Sequence, residues 1–413
     1  MHIKIAKILF ILMFYYQGWY QDVYVPIPRM LLILGAPMML MLVFHCFKTR
    51  QNIHKALSIE VGLWFLFTIT SYVSGVFIAD NLSLFISSVF TLFQVMLVLT
   101  AIFIIADHDQ SIDFFIKIYI GLALLCAATM IFTGDEFSGG RMSIGEKNPN
   151  TLGLLLCSGV FCILFLLDIK KKLNPILSVS TIILFLYVII LTGSRKSFLA
   201  AVALIVFWLL VVLPNSLRNV STTRKFAIVS ILLITCVIAY FVAAPLINDA
   251  VLFARLDTLF TEGDEIRAGL IAEGFQFFSE NPIFGIGYDQ YRELSSSKTY
   301  SHSTYAEVFS CTGLVGAILY FSVYLIIFYK LLKIIIIKKE SETSQRALKV
   351  LSLMVVLVFL AIGVIHYYSL NSMVMFGIIV AFCNLALKAK KEQENEYKES
   401  AKVIQQKTQI IDT

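Results

Sequence analysis

Apolar runs of nearly twenty residues follow one another along the whole chain, separated by short polar stretches. They fall at about 8–20, 29–47, 59–78, 82–106, 112–133, 150–167, 175–192, 196–213, 226–244, 303–329, 347–366 and 371–387. A helix of about 20 residues crosses a hydrocarbon core of about 30 Å. The strict alternation of a membrane β-barrel is absent, and only helices or closed barrels satisfy their backbones in lipid. The pattern predicts an all-α fold: a polytopic transmembrane bundle of about twelve spans. Residues 1–387 are expected to form a single membrane domain, followed by a polar cytoplasmic tail over 388–413.

Composition agrees with the pattern. The 413 residues are 59% hydrophobic and 15% charged, with a mean hydropathy of +0.84. Soluble domains are nearer half apolar and a quarter charged. The seven cysteines lie in or beside apolar runs and form no C-x-x-C pair. They read as small hydrophobes rather than a disulfide framework or a zinc site. Lys4 and Lys7 precede the first run, and no small-x-small cleavage site follows it. That run is read as an uncleaved span.

The net charge is +6, but the placement of the basic residues matters more than their sum. With the N-terminus in the cytoplasm, the inner loops hold Lys48, Arg50 and Lys55, then Lys170 to Lys172, then Arg218, Arg224 and Lys225. Lys330, Lys333, Lys338 and Lys339 follow, and the tail from Lys388 is also inside. Both termini are therefore expected in the cytoplasm. The outer segments are Gly134–Asn148, the turn at Gly193–Arg195, and one large loop over about 245–301.

The longest interval containing polar residues runs from Glu265 to Gly316. A chain that is mostly membrane keeps such a stretch for binding or chemistry at the water boundary. Arg267 lies there on a short amphipathic segment that Asn281–Pro282 should stop. His302 stands at the mouth of the next run, where imidazole suits proton transfer near neutral pH. Glu307 lies just inside that run, and a carboxylate entering lipid is costly. It would orient a basic group or an acceptor, or pair with an arginine. Arg195 and Lys196 open another span after Ser194, a candidate N-cap, where backbone N–H groups and two cations suit a phosphate. Taken singly, each arginine is equally a snorkelling or solvated side chain, and each of His302 and His366 a packed structural histidine. No Walker A or dinucleotide glycine fingerprint is present, and no aspartate-rich cluster stands on the outer side.

These residues together resemble the bacterial O-antigen ligase and O-antigen polymerase family. The resemblance is carried by His302-Ser303, nine further residues and Gly313-x-x-Gly316. ENPIFGIGYDQY supplies a Pro-x-x-Gly-x-Gly segment downstream of Arg267, TGSRKSFLA a Gly-Ser-Arg opening of a span, and GRMSIGEKNPNTLG an arginine with Asn-Pro-Asn. It covers about residues 134–330. Ser303 stands where asparagine is commoner, and no tryptophan follows Arg267.

The resemblance implies a metal-independent, cofactor-free glycosyltransferase of the inner membrane, with its site on the outer face. The implied donor is a glycan on undecaprenyl diphosphate, and the acceptor is another glycan or lipid A-core. Arg195, Arg267 and Arg141 would hold the diphosphate and His302 would be the general base. Membrane lipid, a flippase and a chain-length regulator are the implied partners, with no nucleic acid. A polymerase of O-antigen or capsule-type repeat units and a ligase of finished glycan need the same donor site. A transporter or flippase would instead predict discontinuous helices, internal repeats and ionisable groups near mid-bilayer. No repeat is visible, and most ionisable residues fall at span ends.

Overall fold

A computed structural model describes residues 1–24, 30–49, 58–106, 109–137, 140–167, 175–217, 265–337, 341–367 and 369–388, with a few isolated positions between 221 and 252. The chain opens with α1 (His2–Tyr15), which runs through a π-helical turn (Tyr16–Tyr20) to Val23. Next come α2 (Met30–Thr49), α3 (Ile59–Ile78), α4 (Leu82–Ile105) and α5 (Asp109–Thr133). A hairpin follows, β1 (Asp135–Phe137) paired antiparallel with β2 (Arg141–Ser143). Then come α6 (Pro149–Leu166), α7 (Pro175–Leu191) and α8 (Arg195–Phe207), the last continuing through a π-helical turn to Leu217. The C-terminal part holds α9 (Glu265–Glu280), the single turn α10 (Tyr291–Leu294), α11 (Thr304–Ile337), α12 (Glu342–Leu360) and α13 (Leu370–Lys388).

Among the described residues, nine helices are long and apolar enough to cross a membrane, and α7 is a shorter apolar helix. The run expected at 226–244 lies outside the described residues, as do most of the 245–264 stretch and the tail beyond Lys388. Local signals set the helix starts. Ser58, Asn81, Asn148 and Ser341 each accept a backbone N–H of the first turn, and Pro149 supplies the fixed φ of a first helical residue. The most enclosed spans are α6, with 83% of its apolar window buried, and α13, with 78%; α2 has 28% and lies at the periphery. All six described cysteines are buried and outside any disulfide.

At one end of the bundle, buried charge is matched to partners. Lys330 approaches Glu60 at 2.6 Å and donates to Asn384 Oδ1 at 2.6 Å. Lys349 donates to the carbonyls of Phe165 and Leu167 at 3.1 and 3.0 Å, satisfying the last turn of α6. Lys330 was expected in a cytoplasmic loop beyond residue 329. Instead α11 runs on to Ile337 and keeps it within the helix, where Glu60 pairs with it.

The longest helix is not continuous. Gly313 has φ 61° and ψ −163°, which splits α11 after its first nine residues. The segment after α9 fills the break. Ile286 N–H donates to Ser310 O at 2.8 Å, Leu314 N–H to Pro282 O at 2.8 Å, and Val315 N–H to Ile283 O at 3.2 Å. Backbone groups that lipid cannot satisfy are thus paired inside the protein. The two strands of backbone touch so closely that a side chain at Gly285 would sit 2.6 Å from Thr312 N, and one at Gly313 2.6 Å from Phe284 N. This accounts for one glycine of each motif, Gly285 and Gly313. Helix α9 stops at Glu280, before Asn281–Pro282 as expected. It packs on the first part of α11, with Gly274 against Ala306 and Phe278 against Phe309 at 5.1 Å between centroids.

Gly313→Ala is expected to destabilise the purified protein by roughly 1–3 kcal/mol for backbone strain alone, with the overlap on Phe284 added. Gly269→Ala, inside α9 where a side chain meets open space, should hold or slightly raise the melting temperature. Equal melting temperatures for the two variants would refute the role given to the break.

Candidate functional site

The start of α11 is built around an unusual turn. His302 adopts φ 60°, a left-handed conformation costly for a residue with a side chain. Two neighbours hold it there. Glu307 Oε1 accepts the Ser301 N–H at 2.7 Å, and Ser301 Oγ accepts the Ser303 N–H at 3.2 Å while donating to Ser303 O at 3.1 Å. Glu307 is 1% exposed. One Glu307 oxygen thus meets the backbone beside His302, and the other accepts from Cys311 Sγ at 3.6 Å.

Tyr300 joins two of the expected site residues. Its ring lies 4.2 Å from that of half-buried His302, and its phenol feels the charge of Arg267. Burial pushes the Tyr300 phenol above its ordinary range, Arg267 pulls it back, and Glu307 adds to the upward push. Arg267 is the third residue of α9, so the packing of α9 on α11 sets where its charge stands relative to Tyr300.

Arg141 and Arg195 enter from other elements. Arg141, the first residue of β2, donates from Nε to Thr192 O and from its guanidinium to Asn150 Oδ1, both at 2.9 Å. Thr192 belongs to the tight turn, with Gly193 at φ 60°, that leads into α8. Arg195 is the first residue of that helix. Ser194 occupies the N-cap position but makes no cap hydrogen bond; its hydroxyl donates to Ser197 Oγ at 2.9 Å. The competing hydroxyl one turn on explains the difference.

A strap over residues 361–367 connects the starts of α8 and α11. The run expected to stay helical to 366 ends at Leu360, and the chain turns across the end of the bundle. Thr304 clasps it: its N–H donates to Ala361 O at 2.8 Å, its Oγ1 donates to Val364 O at 2.6 Å, and Oγ1 accepts the His366 N–H at 3.1 Å. From the other side, Lys196 lies over Gly363. The strap therefore brings the α8 start, with Arg195 and Lys196, to the same end of the bundle as His302, Tyr300 and Arg267.

Tyr300, Thr304 and the strap were not singled out from the sequence. AIGVIHY (361–367) is as apolar as the span before it, so periodicity carries no signal for the turn. His366, expected at a span end, is fully buried in the strap, 6.1 Å from the Phe376 ring, and neither ring nitrogen has a hydrogen-bond partner.

Burial pushes His366 down to about 4 from an ordinary 6.5. The folded chain thus keeps it neutral while the unfolded chain protonates it below about pH 6.5. Its contribution to stability is present above that pH and falls as pH drops to about 4, by roughly 3 kcal/mol at about 1.4 kcal/mol per unit. Thermal unfolding between pH 7 and 4 should show a shallower decline for His366→Gln than for the parent. Parallel curves would refute this.

Residues 180–321 match the family model for O-antigen ligase. No curated protein matches the chain. The matched stretch contains Arg195, Arg267, His302 and Glu307, and Arg141 lies before it. Over those residues the chain is similar to the O-antigen ligase family, in agreement with the resemblance drawn from its motifs.

Proposed function

We propose that the protein is a membrane glycosyltransferase that joins repeat units carried on undecaprenyl diphosphate into an O-antigen or capsule-type polysaccharide. The observation that carries this reading is the ring contact of His302 with Tyr300, whose phenol also feels the charge of Arg267, at the start of a span and beside the strap that receives the α8 start. A lipid-linked sugar has its carrier in the bilayer and its reacting carbon at the water boundary. A site at the end of a bundle suits such a substrate.

In the reaction, an acceptor hydroxyl oxygen forms a bond to the anomeric carbon of the donor sugar. The bond from that carbon to the diphosphate oxygen breaks, and the leaving diphosphate takes the electron pair. Arg267 and Arg195 stabilise the developing charge, with Arg141 as a third cation. His302 takes the hydroxyl proton on a ring nitrogen. Glu307 holds the Ser301 backbone so that the imidazole points where the left-handed turn aims it.

Transfer of finished glycan to lipid A-core is the nearest alternative, since it uses the same donor site. A transporter or flippase gains support from one observation, the break in α11. Three hydrogen bonds from the neighbouring segment occupy that break, whereas a transport site would leave such groups facing a cavity. This favours the enzyme.

Arg267→Ala and His302→Ala are each expected to lower polymer formation by about two orders of magnitude or more, in correctly inserted protein. Unchanged polymer in either variant would sink the site assignment. The glycans left on the carrier in a deletion strain separate the alternatives. Single repeat units are expected; long polymer stranded on the carrier would point to a ligase, and normal glycan would reopen transport.

A further inference from the structure

The contact between Lys196 and Gly363 has the form of a seat built for an ammonium group. The outer end of the Lys196 side chain occupies the space where a Gly363 side chain would stand, and an ideal Cβ there would overlap Nζ itself. Gly363 is absent from the positive-φ glycines, so its backbone suits any residue. The lack of a side chain is therefore not required by conformation. What glycine supplies is room for the lysine.

The seat is also fixed in place. The strap on which Gly363 lies is held by three hydrogen bonds to Thr304, two residues after His302. Gly363 N–H is bonded to Leu360 O at 2.9 Å, which sets the turn. A lysine ordinarily loses much rotamer freedom on binding an anion. One already laid across a clamped strap has lost that freedom on folding.

We infer that Lys196 is a further anchoring residue for the lipid-linked diphosphate, and that Gly363 is the positioning residue that presents it. The inference rests on the proposed donor and deepens it, by adding a cation whose placement depends on a different element from those of Arg195 and Arg267.

Gly363→Ala is a clean probe, because the atoms it displaces are the outer end of the Lys196 side chain rather than backbone. The test measures undecaprenyl diphosphate binding to the purified full chain in nanodiscs, with undecaprenol as the uncharged control and inorganic pyrophosphate as competitor. Lys196→Ala should weaken undecaprenyl diphosphate binding about tenfold and leave undecaprenol binding unchanged. Lys196→Arg should restore part of the loss. Gly363→Ala should show a similar loss by itself and none further in the Lys196→Ala background, since coupled residues are not additive.

Equal diphosphate-lipid binding by the parent and Lys196→Ala overturns the inference and leaves the proposed function standing. So does a Gly363→Ala effect of the same size in both backgrounds, which would be a fold effect. Pyrophosphate competing as strongly as the lipid overturns the lipid-linked assignment. If the parent binds undecaprenyl diphosphate no better than undecaprenol, the proposed function falls and takes this inference with it.

Discussion

Everything at the site end depends on how the backbone freed at Gly313 is satisfied. A helix cannot stop and restart within a membrane protein unless its unpaired N–H and C=O groups find partners. Here the partners are Pro282, Ile283 and Ile286, which approach only because Gly285 and Gly313 carry no side chains. That pairing ties the segment after α9 to α11. It therefore fixes α9 on the first part of α11, and with it the distance from Arg267 to Tyr300 and His302.

The second dependence is on Thr304. With one N–H and one hydroxyl it joins the first turn of α11 to three backbone groups of the strap. Cations from α8 and α9 are far apart in sequence, and no contact between those two helices is needed to relate them. Each is referred to α11, one through the packing of Gly274 on Ala306 and the other through Lys196 on Gly363. Glu307 completes the arrangement by turning a buried carboxylate into an acceptor for the Ser301 N–H. A buried carboxyl group with its hydrogen bonds made is tolerable where an unsatisfied one is not.

The helical architecture was legible because apolar runs of this length have one meaning in lipid, and Ser58, Asn81 and Pro149 mark starts by local rules. The site was legible in part. Arg195, Arg267 and His302 stood out as polar residues at the edges of apolar runs, and spacing to the glycines linked them to a family. The break at Gly313 was hidden: its flanks are apolar on both sides, and the residues that repair it lie some thirty positions earlier. The strap was hidden for the same reason, since AIGVIHY reads as span. Lys330 shows a third kind of blindness. Its place in a helix depends on Glu60, more than two hundred residues away, and hydropathy treats each charge as if it were alone.

The broken helix also bears on how the protein is made. Spans reach the bilayer in order, so the Pro282–Ile286 segment leaves the ribosome before Gly313 does. When α11 first arrives it can cross as an unbroken rod with an unstrained glycine, or it can engage the segment already waiting. Only the second outcome gives the Leu314 and Val315 N–H groups their partners on Pro282 and Ile283. A chain whose α11 stayed unbroken would be embedded in the membrane and still lack the bonds that tie the segment after α9 to it.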